Sequence, residues 1–156
     1  MEEDRKVLAK NRKALHEYHV LSSIEVGLAL VGSEIKSIRA GRVSLTGSFA
    51  SFDDRGELYV HGMHIAEYAQ ARDNHDPYRD RKLLAHRAQL KRMERTVREK
   101  GNTLIPLDVH LRRGKAKMEL GVCTGKKKHD QRSDIARRDA DMQIRRELKR
   151  RNRSDD

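Results

Sequence analysis

Leu104 to Cys123 reads LIPLDVHLRRGKAKMELGVC. Ile105, Leu107, Val109 and Leu111 fall two apart before Arg113-Gly114, and Ala116, Met118, Leu120 and Val122 fall two apart after it. That is the period of a half-buried strand on both sides of a turn, so the stretch is predicted to be an antiparallel hairpin. Cys123, the only cysteine, has no partner in the chain and no metal-ligand neighbours; it reads as a buried small hydrophobe.

Upstream, Leu90, Met93 and Val97 share one helical stripe between His86 and Lys100, with Gly101 and Asn102 as the stop. The segment from Glu67 to Arg81 has no period and is predicted to be a long basic surface loop. A second hairpin is expected from Phe49 to Ile65, turning at Asp53-Asp54-Arg55-Gly56. Gly32 to Gly41 reads as a short helix capped by Ser33, with Ile35 and Ile38 on its inner side. Before it, Tyr18, Val20, Ile24, Val26, Leu28 and Leu30 keep one strand phase from Glu17 to Val31, one long bent strand.

Five or six antiparallel strands with two helices give a mainly β fold, a small antiparallel barrel of the oligonucleotide-binding type, with a two-layer α+β sandwich as the alternative. The expected division is a barrel domain over residues 1–124, its first ~14 residues flexible, and a basic tail over 125–156. The tail holds twelve Lys or Arg and seven Asp or Glu. Ala136, Ala140, Ile144 and Leu148 lie four apart, a thin seam that predicts disorder alone and helix on a partner.

Charged residues are 38% of the chain, and the net charge is +11. Lys and Arg in such excess favour a polyanion, through counterion release from phosphates. Nothing approaches a membrane span, and the basic stretches lack the apolar face of an interfacial helix. MEEDRKVLAKNRK at the start is not a secretory signal, so the protein is expected to be cytoplasmic.

GKKKHDQR at 125–132 suits RNA, with Lys126, Lys127 and Lys128 beside His129, a ring that can stack, and Arg132, which can fork onto phosphate. Its bland alternative is a solvated charge run. Glu34, Lys36 and Arg39 lie on faces of the first helix that the core does not need; Glu34 can accept from a base edge or sugar hydroxyl or pair with a neighbouring Lys, and spacing alone favours the pairing. RDRKLLAHR at 79–87 suits an edge strand tracking a phosphate backbone, or an ordinary basic surface. His61 and His64 in HGMH would face opposite sides of a strand, which argues against a metal pair. No catalytic motif, metal-ligand set or cofactor fingerprint is present in the sequence, so no enzyme activity and no cofactor are expected.

NRKALHEY, GLALVGSEIKSIRAG, MHIAEY, DPYRDRKLLAH, IPLDVHL and GKKKHDQRSDIARRD, in this order, resemble the SmpB, or SsrA-binding protein, family along almost the whole chain. The resemblance implies an adaptor of bacterial trans-translation. Such an adaptor binds the tRNA-like domain of transfer-messenger RNA and brings it to stalled ribosomes, with small-subunit rRNA and elongation factor Tu as further partners. It implies RNA contacts around Glu34, Lys36, Arg39, Arg81, Lys82 and Leu84. It also implies ribosome contacts by His16 and by Gly125, Lys126, Lys127, Lys128, His129, Asp130 and Arg132, the tail becoming helical in the empty messenger channel. Gln131 stands where the family usually has Lys, so one phosphate contact is either missing or supplied by Lys128; Ala85 replaces a usual leucine. A general RNA-binding protein without a rescue role, and a metal-dependent nuclease, are the rival readings.

Overall fold

A computed structural model of the chain describes residues 5–98, 102–125 and 142–149. The chain divides into two units, Met1–Gly125 and Lys126–Asp156. In the second, 142–149 is helical and every described residue is exposed, Ile144 and Leu148 of the thin seam included.

The first unit runs β1 (Arg5–Lys10), α1 (Arg12–Glu17), β2 (Tyr18–Leu28), α2 (Gly32–Arg39), β3 (Val43–Ser44), β4 (Phe49–Phe52), β5 (Leu58–His61), β6 (His64–Ile65), β7 (Arg81–Leu84), α3 (Arg87–Arg98), β8 (Asn102–Arg112) and β9 (Lys115–Gly125). Pairing proceeds β8-β4-β5-β7-β2-β9, and β9 pairs with β8 again, so six strands form a ring. All these pairings are antiparallel. The ring closes between β4 and β8 through the pairing of Ala50 with Leu104. Strand β1 adds to β8, and β3 with β6 forms a separate two-stranded piece.

The hairpin that decides the fold turns at Arg113 and Gly114, both at positive φ, 52° and 78°. Two left-handed residues make the turn whose twist matches the flanking strands. Inside the ring, alternate residues Val26, Leu28, Leu58, Val60, Leu83, Leu104, Met118, Leu120 and Val122 form the core with Ile38 of α2 and Met93 of α3. Burying each such side chain stabilises the fold by about 1.5–3 kcal/mol before entropy is counted. Helix α3 ends where the Asn102 amide donates to the Thr96 carbonyl at 3.0 Å.

Two irregularities change the expected phases. Register shifts between Val20 and Ser22 on β2, and between Pro106 and Asp108 on β8, place Leu21 and Leu107 as extra residues. Each bulge turns the residues beyond it to the opposite face. Val20 is therefore exposed rather than in phase with Ile24. Ile105 leaves the barrel interior for a second cluster beneath Ala14 of α1, where it meets Cys123, which alternates with the interior Val122 on β9; Leu107 and Tyr18 pack against this cluster. Burial pushes the Cys123 thiol up to about 11.

The N-terminal segment forms regular secondary structure from Arg5, β1 and then α1. Strand β1 pairs with residues 108–112 of β8, and the Arg5 guanidinium donates to Asp108 at 2.6 Å. The Asn11 side chain then caps α1 by accepting from the Ala14 N–H at 3.2 Å. Dense charge concealed this strand, because it is held by backbone pairing with β8 and packs Leu8 rather than a long apolar alternation against the core.

Candidate RNA-binding surface

Strand β7 has pairing partners on both sides, β5 and β2, so it is an interior strand and not the expected edge. Its four residues alternate: Arg81 and Leu83 point inward and are fully buried, while Lys82 and Leu84 face out. The Arg81 guanidinium donates through Nε to Glu34 at 2.5 Å, and its other nitrogens donate to the carbonyls of Met63 at 2.6 Å and Pro77 at 3.1 Å. Arg79 donates to the other Glu34 oxygen at 2.6 Å, and that oxygen also accepts from the Val31 N–H at 3.0 Å. Burial alone would raise the Glu34 pKa; the hydrogen bonds from Arg79, Val31 and Arg81 outweigh it and hold the carboxyl below its ordinary value.

Glu34 and Arg81 are therefore buried within the fold rather than presented at its surface. The 66–80 loop is folded back on α2 by this pair and by His75, whose ring is buried with Ser33 Oγ at 2.8 Å and the Ile65 carbonyl at 2.8 Å. A ring nitrogen facing a carbonyl must carry the proton, so Nε2 donates to Ile65 and Nδ1 accepts from Ser33. Ser33 thus anchors the loop rather than capping α2, a task that Glu34 performs from the third helical position. The predicted basic surface of this loop is reduced accordingly, since Arg79 and Arg81 turn inward.

The outward side chains form two adjoining grooves that share Leu84. One, of about 430 Å³, has Leu30, Ile35 and Ala116 in its floor and Arg39, Lys115 and Lys117 around it. The other, of about 490 Å³, has Leu90 and Ala85 below Lys82, Arg87 and Lys91. Leu84 is 49% exposed between them. It lies over Gly27, where an added Cβ would come within 3.2 Å of the Leu84 Cβ. Arg39 reaches the β8–β9 turn by donating to the Gly114 carbonyl at 3.3 Å. The Lys36 ammonium sits 5.5 Å from the Tyr68 ring centre, and Lys82 lies 3.2 Å from Glu57. Exposed pairs of this kind contribute at most about 1 kcal/mol, so these cations can exchange their partners for phosphates. An apolar ridge between two rows of cations suits sugar and base surface beside a charged backbone.

Residues 8–150 match the family model of SmpB protein. The chain belongs to the SmpB family. An SsrA-binding protein of Acetivibrio thermocellus is 50% identical over 148 residues, 94% of this chain and 96% of that protein. One of Chloroflexus aggregans is 54% identical over 147 residues, 93% of this chain and 92% of that protein. A chain from the structure described as "tmRNA-SmpB: a journey to the center of the bacterial ribosome" superposes with TM-score 0.64 and 44% identity, covering 81% of this chain and 92% of that one.

In this SmpB chain, the structure brings Arg39 and Lys82 to the two grooves that meet at Leu84, while Lys36 lines neither and sits against Tyr68. His16 stands apart from them, half-buried in the last turn of α1. Gly125 ends β9 opposite Tyr18. Lys126, Lys127, Lys128, His129, Asp130 and Arg132 lie outside the described residues. Sequence reasoning missed Lys91, Lys115 and Lys117 as members of the candidate surface. The signal available was the alternation of Lys115 and Lys117 against Ala116 and Met118. No described helix is long and apolar enough to cross a membrane.

Proposed function

We infer that this SmpB family member is the RNA-binding adaptor of trans-translation. It binds the tRNA-like domain of transfer-messenger RNA through the barrel and delivers it to stalled ribosomes. The observation that carries the reading is identity of 50% to an SsrA-binding protein across 94% of the chain. The two cationic grooves around Leu84 support the barrel as the part that holds the tRNA-like domain, with Lys36, Arg39 and Lys82 on phosphates and Leu84 against a sugar or base. Glu34 and Arg81 act there as positioning residues.

The protein works as a non-enzymatic cytoplasmic adaptor, with elongation factor Tu as a further member of the delivery complex. The tail contacts small-subunit rRNA from the empty messenger channel: Lys126, Lys127, Lys128 and Arg132 face phosphates, His129 stacks near the decoding centre beside His16, and Gly125 and Asp130 shape the start of the tail. Ordering such a segment costs free energy that only a vacant, phosphate-lined channel returns.

The test is a salt titration of binding to the isolated tRNA-like domain and to a control hairpin RNA, with full-length protein and residues 1–124. The barrel alone should prefer the tRNA-like RNA at every salt concentration, the tail adding only to the salt slope. Equal binding of both RNAs would leave a general RNA-binding protein without a rescue role. Magnesium-dependent cleavage of either RNA would replace the adaptor with a nuclease.

A further inference from the structure

Away from the grooves around Leu84, and sharing no residue with them, a cleft of about 230 Å³ opens where α1, the start of β4 and the first half of β8 meet. Ala14, Tyr18, Phe49 and Ile105 supply its apolar walls, and Lys13 and Glu17 border it.

Phe49 is 47% exposed, an unusual position for a phenyl ring unless it meets something. It is nonetheless fixed from behind. Its ring leans on His61 with centres 5.2 Å apart and planes at 38°. His61 is itself held at both nitrogens, by Ser51 Oγ at 2.7 Å and by Asp80 at 2.9 Å. A ring already ordered on one face loses little rotamer freedom when the other face is covered.

Two of the polar groups lining the cleft are engaged within the fold: the Asn11 amide donates to the carbonyls of Leu45 and Pro106 and accepts from the Ala14 N–H, and Ser48 Oγ donates to Leu45. The cleft offers a visitor the Phe49 ring and the apolar surface of Ala14 and Ile105 beside the polar groups of Lys13, Glu17, Tyr18 and Thr103. Its charged lining residues are Lys13 and Glu17. The Lys13 ammonium lies 4.0 Å from the Glu17 carboxylate with both side chains well exposed, a pair that yields readily to a phosphate.

We propose that this cleft seats one unpaired nucleobase of a bound RNA, stacked on Phe49, with an adjoining phosphate held by Lys13. Stacking on a ring makes the site tolerant of base identity, because every base has a π-face. Its volume lies below the roughly 300–1,000 Å³ of ordinary ligand pockets, which fits one ring system and leaves the sugar and phosphate outside. The proposal rests on the protein being an RNA binder. The base can come from the transfer-messenger RNA or from small-subunit rRNA, since both present the same chemistry.

The experiment uses the full-length chain as wild type, Phe49→Leu, Phe49→Tyr and Lys13→Gln. Binding to the tRNA-like domain and to purified small ribosomal subunits is measured across salt concentrations, alongside thermal unfolding. Phe49→Leu should weaken binding to one of the two probes by about 5- to 100-fold with an unchanged salt slope, and Phe49→Tyr should stay within about twofold of wild type. Lys13→Gln should lower the slope against the same probe by about 0.7–0.9. The probe that responds identifies the source of the base. Full affinity of Phe49→Leu for both probes overturns the proposal, and so does equal weakening by Leu and Tyr together with a lowered Tm, which marks a structural role. A wild-type protein that binds neither probe defeats the RNA-binding reading itself, an outcome distinct from failure of the cleft.

Discussion

Arg81 and Glu34, 47 positions apart in the chain, meet at 2.5 Å with no solvent exposure of either side chain. A buried pair of this kind contributes little net stability over apolar residues, yet removing one partner strands the other charge at a cost of about 3–5 kcal/mol. Glu34→Gln is expected to lower stability by that order in denaturant titration. It should also weaken binding of the tRNA-like RNA at protein concentrations where the fold survives, because the 66–80 loop loses its anchor. Arg81→Lys should act likewise, since one ammonium cannot reproduce the guanidinium's bonds to Glu34, Met63 and Pro77. Unchanged stability in either variant would contradict the buried pairing.

The outward residues of β7 should behave in the opposite way. Lys82→Gln is expected to reduce RNA affinity and lower the salt slope by about 0.7–0.9 while leaving the melting temperature within a few degrees. Leu84→Ala should reduce affinity without altering the slope. A Lys82 variant with wild-type slope would remove the grooves from the RNA-binding surface.

Acid should loosen the molecule through its depressed carboxyls. Glu34 is held below its ordinary value of 4.5 against the opposing pull of burial, and Glu25 is held below it as well, by the His110 hydrogen bond and by Arg112. A carboxyl with a lowered folded pKa stabilises the fold above about pH 4.5, and that contribution fades as pH falls through the folded value. Denaturation midpoints should therefore drop below about pH 4.5 in wild type. The drop should be shallower in Glu34→Gln, whose stability is already reduced.

His110 is fully buried with Nδ1 at 2.7 Å from Asp108 and Nε2 at 2.8 Å from Glu25, a bridge from β8 to β2. Asp108 also receives Arg5, which ties β1 to the same network. His110→Phe should lower stability by about 1–3 kcal/mol and speed hydrogen exchange along β1. Normal protection of the β1 amides in that variant would show that the strand holds without the network.

Truncation after Gly125 should leave binding of the tRNA-like domain nearly intact and abolish tagging on stalled ribosomes. His129→Ala should impair the ribosomal step more than RNA binding. Tagging by the truncated protein at wild-type rate would end the proposed role of the tail.

Much of the barrel was legible because both hairpins announce themselves by a two-residue period and a turn, and α2 and α3 by apolar stripes with glycine or asparagine at their ends. The bulges at Leu21 and Leu107 were not legible. A one-residue insertion leaves the apolar count unchanged while reversing the faces, and leucine suits either side. Strand β1 was hidden because backbone pairing and the Arg5–Asp108 contact hold it, neither of which has a local signature. At the candidate site, Lys82 and Leu84 were legible. The inward turn of Arg81 was readable in principle, since it shares a face with Leu83, but arginine in a barrel interior needs Glu34 from another element. No spacing rule links the two.

The ring's pairings also fix an order of assembly during synthesis. Strand β2 is made early but pairs along its length with β9, the two joining Tyr18 to Gly125, and β1 awaits residues 108–112 of β8. The β8–β9 hairpin can close as soon as it emerges, yet β4, β5 and β7 remain an open sheet until Ala50 meets Leu104. Such distant partners make folding slow relative to a helical bundle of the same size. One groove is lined by Lys115, Ala116 and Lys117 of β9 and the other by α3, which packs against β8 and β9, so neither groove is complete before the last hairpin has been made.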